Sequence, residues 1–180
     1  MFDRAVHPIA FARLGVAILH IIEGPVGAGK TTYGATLGRK LSMPPLVLDR
    51  WMATLFRADR PDADFWTWYV ERKARCIEQI WKISKDLLDC GHDVIVELGL
   101  LKSAQRFALY QRVDVTEHGY CIHVLEAPRD ERLRRIKQRN ETQGDTFTMI
   151  VSEDLFELAS DEWEPVGAAE CKGRNVLFVS

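Results

Sequence analysis

Apolar positions along this chain come in two textures, short β-branched runs and longer stripes at helical spacing, and their alternation predicts an α/β order. The runs are Ala17 to Ile22 (AILHII), Leu46 to Leu48, Val94 to Val96, Tyr120 to Leu125 and Asn175 to Val179. Continuous runs of this kind suit five strands buried on both faces of a parallel sheet. Between them, Thr32 to Leu41 carries Ala35, Leu37 and Leu41 at helical spacing, with Gly34 and Gly38 four apart on one face, where missing side chains let the helix approach the sheet. Phe65 to about Asp89 is the longest stripe, with Trp68, Cys76, Ile80, Trp81, Leu87 and Leu88 among its apolar residues, and Gly91 predicts a left-handed cap after it. Glu71 with Arg75 and Glu78 with Lys82 mark its solvated face. Lys102 to about His118 reads as another helix with Phe107, Leu109, Tyr110 and Val113 inward. Ser152 predicts the cap of one running through Ala159, and Asp161 to Gly173 reads as irregular.

With 180 residues, 47% of them hydrophobic, the chain suits one domain over residues 16–180, preceded by an extension at residues 1–15. The formal charge of −2 is no footprint for bulk binding of nucleic acid or of an anionic membrane. No apolar run approaches the roughly 20 residues that span a bilayer. Four cysteines, Cys76, Cys90, Cys121 and Cys171, form no C-x-x-C pair, which predicts a reduced, cytoplasmic protein without a zinc site.

Glu23 to Thr32 changes the picture from fold to chemistry. Gly24-Pro25-Val26-Gly27-Ala28-Gly29-Lys30-Thr31-Thr32 fits G-x-x-x-x-G-K-[ST], with a strand leading in and a helix leading out. Backbone N–H groups that all point at phosphate oxygens need conformations that residues with a Cβ rarely adopt, hence the glycines. Lys30 offers an ammonium to the β- and γ-phosphates of ATP, and Thr31 a hydroxyl to Mg²⁺. The helix N-terminus adds free N–H groups.

Asp49 follows the second predicted strand, on the edge where open α/β sheets bind ligands, and phosphoryl transfer needs a base there. The same residue also suits the N-cap of a short helix through Trp51, Met52 and Leu55. Glu97 ends the third strand, where it could hold the metal through water, position the substrate, orient Lys30 or pair with an arginine for structural reasons. Arg50 and Trp51 flank the predicted base and are candidates to bind the acceptor with Asp49 and Glu97. After Pro128 come Arg129, Arg132, Arg134, Arg135 and Arg139; Arg135 and Arg139 share a helix face and are suited to neutralise the transferring phosphoryl group. A polar lid is expected at about 139–150. His20 and His123 lie inside apolar strands and read as hydrogen-bonded core residues rather than ligands.

The phosphate loop, Leu48-Asp49-Arg50-Trp51, the strand end Leu125-Glu126-Ala127-Pro128 and Arg135-x-x-x-Arg139-Asn140 together resemble the small P-loop kinases. The likeness is to AAA-type ATP-binding proteins of the zeta toxin and chloramphenicol phosphotransferase kind, over about Ala17 to Val179. It implies a three-layer P-loop NTPase fold like that of the nucleoside-monophosphate kinases, with a five-stranded parallel sheet of order 2-3-1-4-5 and a short lid. It also implies Asp49 as general base toward a substrate hydroxyl, and Arg135 and Arg139 on the phosphates. The function it points to is ATP-dependent phosphorylation of a small molecule. Two alternatives stand beside it: a nucleotide-dependent switch ATPase without an acceptor, and a nucleic-acid 5′-end kinase using Arg50, Arg57 and Arg60.

Overall fold

In the computed structural model, residues 16–144, 147 and 149–179 are described. The expected extension at residues 1–15 lies outside them, as do residues 145, 146 and 148 of the expected lid. The elements run β1 (Ile18–Glu23), α1 (Lys30–Leu41), β2 (Leu46–Val47), α2 (Leu48–Phe56), α3 (Phe65–Asp89), β3 (Val94–Glu97), α4 (Ser103–Asp114), β4 (Gly119–Leu125), α5 (Arg129–Thr142), α6 (Glu153–Asp161), α7 (Ala168–Cys171) and β5 (Val176–Val179). All strand pairs are parallel, and the sheet order is β2-β3-β1-β4-β5. The expected architecture is thus the observed one.

Two-residue periodicity sorts the strands onto two layers. Leu19, Ile21, Val94, Val96, Ile122 and Val124 face the main core with Cys76, Ile80 and Leu88 of α3 and Leu109, Tyr110 and Val113 of α4. Ile22, Ile95 and Leu125 face the other way, toward Tyr33, Leu37 and Leu41 of α1. At Gly34 an added Cβ would meet Ile22 Cδ1 at 3.0 Å, so the missing side chain sets how close α1 lies to β1. A third cluster, Ile136, Val151 and Phe156, joins α5 to α6.

Element boundaries depart from the sequence expectation in four places. β2 ends at Val47: Leu48 is already helical and buried, and Asp49 sits in the first turn of α2 with Val47 as its cap. α4 stops at Asp114 rather than near His118, because the Thr116 hydroxyl donates to Val113 O at 2.7 Å and competes with the helical ladder. α5 runs past Asn140 to Thr142 and closes on Gln143, at φ 46°, whose N–H reaches Arg139 O. The stretch 161–173 contains α7. The α3 terminus follows its sequence signal: Gly91, at φ 82°, donates to Leu88 O while His92 donates to Leu87 O. The Ser152 hydroxyl accepts from Leu155 N–H, as a cap should.

Candidate functional site

The carboxyl ends of β1 and β3 and the N-terminus of α1 open onto one cavity of about 510 Å³. Its floor is the phosphate loop. Gly24 turns the chain out of β1 at φ +145°, and an added Cβ would stand 2.5 Å from Leu125 O, so the loop lies against β4 too closely for any side chain. Val26, Gly27, Gly29, Lys30, Thr31 and Thr32 line the cavity. Gly24 and Ala28 do not: Ala28 is buried beneath the loop, and Pro25 instead edges a second recess with Glu126, Pro128 and Trp163. Lys30 Nζ donates to Gly24 O and Pro25 O, both at 2.9 Å, so the ammonium rests on the loop's own carbonyls.

Thr31 Oγ1 donates to Glu97 Oε1 at 3.2 Å, which joins the loop to the end of β3. Glu97 is buried, and desolvation holds its carboxyl above the usual range, with Lys30 opposing that shift and Asp49 adding to it. Its second oxygen, Oε2, is buried and has no partner among the described residues. An unpaired carboxylate oxygen beside a threonine hydroxyl, with Asp49 close enough to act on it, is the all-oxygen donor set that a hard divalent cation prefers.

Asp49 lines the same cavity from α2 and interacts electrostatically with Glu97, Arg139, Tyr69 and Lys73. Arg50 and Trp51 do not line it. Successive residues of a helix point about 100° apart, and α2 turns Arg50 to solvent and packs Trp51 against the main core. Their expected contact with an acceptor therefore has no support in this geometry. Phe65, Trp66 and Tyr69 of α3 form the wall beside Asp49 instead. Burial, then the nearby Asp49, pushes the Tyr69 hydroxyl up to about 12.

Arg135 and Arg139 reach the cavity from α5. Arg135 Nη1 donates to Ala28 O at 3.3 Å, and Nη2 bonds Glu131. Arg139 Nε is buried and has no partner among the described residues, within the fields of Asp49 and Glu97. Asn140 ties the two ends of the expected lid together: its side chain donates to Val151 O at 2.7 Å and accepts from Val151 N–H at 3.2 Å.

Three contributors were not singled out from sequence. Arg132, 7% exposed, donates to Val26 O at 2.9 Å, Ala127 O at 3.1 Å and Ser160 Oγ at 3.0 Å, which fastens the loop to α5 and α6. Lys73 of α3 donates to Gly99 O at 3.2 Å inside the cavity, where burial lowers its ammonium and Asp49 raises it. Behind the loop, Glu23 is buried near Arg106 and Glu170, a bidentate ion pair with both contacts at 2.7 Å. Each signal was a charged residue in a helix or at a strand end, which sequence patterns assign to solvent by default.

His20 and His123 lie on the α1 side of the sheet, away from this chemistry. His20 Nδ1 and His123 Nε2 share a hydrogen bond of 3.0 Å, and Tyr33 Oη lies 2.8 Å from His123 Nδ1. Burial, then the neighbouring His20, lowers His123 to about 4, so the ring is neutral at neutral pH.

Comparison with known proteins gives a consistent picture. The family described as AAA domain matches residues 19–156. Shikimate kinase of Enterococcus faecalis (strain ATCC 700802 / V583) is 30% identical over 147 residues, which cover 77% of this chain and 76% of that protein. A kinase candidate from Chloroflexus aurantiacus J-10-fl superposes with a TM-score of 0.69 at 20% identity, over 92% of this chain and 86% of that one. Chaetomium thermophilum Kti12, solved with ADP-AlF3, gives a TM-score of 0.62 at 17% identity, over 89% and 88%. No helix among the described residues is long and apolar enough to cross a membrane.

Proposed function

Given that the chain belongs to the AAA domain family of small P-loop kinases, we propose that it transfers the γ-phosphate of ATP to a hydroxyl of a small molecule. The observation that carries this reading is the convergence of Lys30, Asp49, Glu97 and Arg139 on one cavity, with two of these residues holding buried polar atoms that no group among the described residues satisfies. A switch ATPase has no need of Asp49 facing an apolar chamber beside the phosphate loop.

Each residue has one task in the proposed mechanism. The loop amides bind the β-phosphate, and Lys30 leaves the Gly24 and Pro25 carbonyls to bridge β- and γ-oxygens. Asp49 accepts the proton of the acceptor hydroxyl as that oxygen attacks the γ-phosphorus, and the bond from phosphorus to the β–γ bridging oxygen breaks, leaving ADP. Arg135 gives up its Ala28 contact, and with Arg139 it neutralises the equatorial oxygens as the lid closes. Thr31 and Glu97 would hold Mg²⁺, which when bound shields the phosphate charge.

The test is incubation with ATP, Mg²⁺ and a metabolite extract, followed by a mass search for added phosphate in wild type, Lys30→Ala and Asp49→Asn. Product should form with wild type alone. Undiminished acceptor phosphorylation by Asp49→Asn, with an unchanged pH profile, would remove Asp49 as base; wild-type turnover by Lys30→Ala would sink the site assignment as a whole. Arg139→Gln should lower kcat more than it raises KM if its contact belongs to the transition state.

A further inference from the structure

We propose that the acceptor is a neutral alcohol with an apolar body about the size of an aromatic ring, rather than a sugar, a polyol or a hydroxy acid; this deepens the kinase reading and rests on it. Beyond Asp49, the cavity is walled by carbon from three directions. Leu48, Trp66 and Tyr69 stand on the α2–α3 side, Leu98 and Leu101 at the end of β3, and Leu158 on α6.

Few polar groups stand on these walls: Lys73, Glu162 and the Tyr69 hydroxyl. Lys73 donates to Gly99 O and lies in the field of Asp49, a carboxylate on the same wall that offsets its charge. Glu162 is paired with Lys102 at 2.8 Å. Arg135 donates to Ala28 O of the phosphate loop. A polyol moved into this chamber exchanges water for carbon at most of its spare hydroxyls, and a site that offers so few partners binds it poorly.

Exposure of the same residues is a second, independent observation. Trp66 is 57% exposed, Leu158 47% and Met149 39%, and all three line this cavity. Large apolar side chains left open to water are ordinary when scattered singly, but their convergence on one concave site marks a ligand surface. Met149 lines the chamber too, and a thioether adapts to ring faces of differing shape.

The test has a transfer arm and a binding arm. In the first, ATP-dependent phosphorylation of 2-phenylethanol, glycerol, gluconate and shikimate is compared by kcat/KM in wild type, Trp66→Ala and Leu158→Asn. 2-Phenylethanol should exceed glycerol by at least about tenfold, and either substitution should remove roughly tenfold of that advantage. In the second arm, saturation-transfer NMR follows the ring protons of 2-phenylethanol on the ATP-free protein, with the same two variants as controls. Both substitutions replace side chains that are about half exposed, so thermal unfolding should stay close to wild type and show that the fold is retained.

The outcomes separate the two readings. More efficient, Lys30-dependent transfer to gluconate, shikimate or glycerol overturns the apolar-acceptor assignment and leaves the kinase in place. Ring binding that Trp66→Ala and Leu158→Asn abolish, with no transfer to any alcohol, upholds the chamber's ligand class and removes the kinase reading. Absence of both ring binding and transfer to 2-phenylethanol overturns the inference.

Discussion

Glu23 is the residue on which pH should act most strongly. It ends β1 immediately before the phosphate loop, is 2% exposed, and its Oε1 has no partner among the described residues. Burial pushes its carboxyl from 4.5 up to about 8, with Arg106 and Lys30 opposing the shift. The folded value is raised, so between pH 4.5 and about 8 the native protein keeps a proton that the unfolded chain has released. Stability from this group is therefore fully present below about pH 4.5 and is lost as pH rises toward 8. At about 1.4 kcal/mol per pH unit, the whole window amounts to a loss on the order of 5 kcal/mol. Glu23→Gln keeps the shape and cannot ionise, so it should flatten this dependence. Urea unfolding of both proteins at intervals from pH 5 to 9 measures it: the variant should gain on wild type steadily with pH, reaching several kcal/mol by pH 8.5. Parallel stability curves across that range would refute the reasoning and mean that Glu23 stays ionised through solvent that reaches it.

The remaining predictions concern packing and the lid. Glu170→Ala leaves the fully buried Arg106 without its two 2.7 Å contacts and should cost about 3–5 kcal/mol in denaturant unfolding, whereas replacing both partners by methionine should cost much less. Gly24→Ala imposes a left-handed backbone on alanine and drives its Cβ to 2.5 Å from Leu125 O; a loss of about 1–3 kcal/mol from backbone strain alone is expected in thermal unfolding, together with weakened ATP binding by calorimetry. Asn140→Ala removes both hydrogen bonds to Val151 and should cost about 2 kcal/mol locally, read as faster amide exchange at Val151 while the strand amides of β1 remain protected.

The parts legible in the sequence are those whose physics is local. The loop from Gly24 to Thr32 announces itself through spacing, and the strands through short β-branched runs that only a doubly covered sheet requires. Gly91 and Ser152 likewise act on their own neighbours, and both caps form. Asp49 shows where this kind of reading loses resolution: it reaches the cavity as expected, but from the first turn of a helix, because Leu48 is drawn into the core one residue earlier than the run LVL implies. Arg50 and Trp51 were carried along by adjacency in sequence, which a helix does not preserve in space. Lys73, Arg132 and the Glu23–Arg106–Glu170 group lay out of reach for a different reason. Their partners stand far away along the chain, 106 residues in the case of Arg132 and Val26, and no short window of sequence contains both.

The anchoring of Arg132 has a mechanical consequence. Its guanidinium bolts the first turns of α5 to the phosphate loop and α6, and further along the same helix Ile136 packs with Val151 and Phe156 while Asn140 bonds Val151 twice. Fastened near both ends, such a helix behaves as a strut. With a rise of 1.5 Å per residue, it keeps Arg139 about 10 Å along its axis from Arg132. A displacement at Val151 is therefore passed down the helix to the carbonyl of Val26, and Arg135 and Arg139 move with the phosphate loop as one piece.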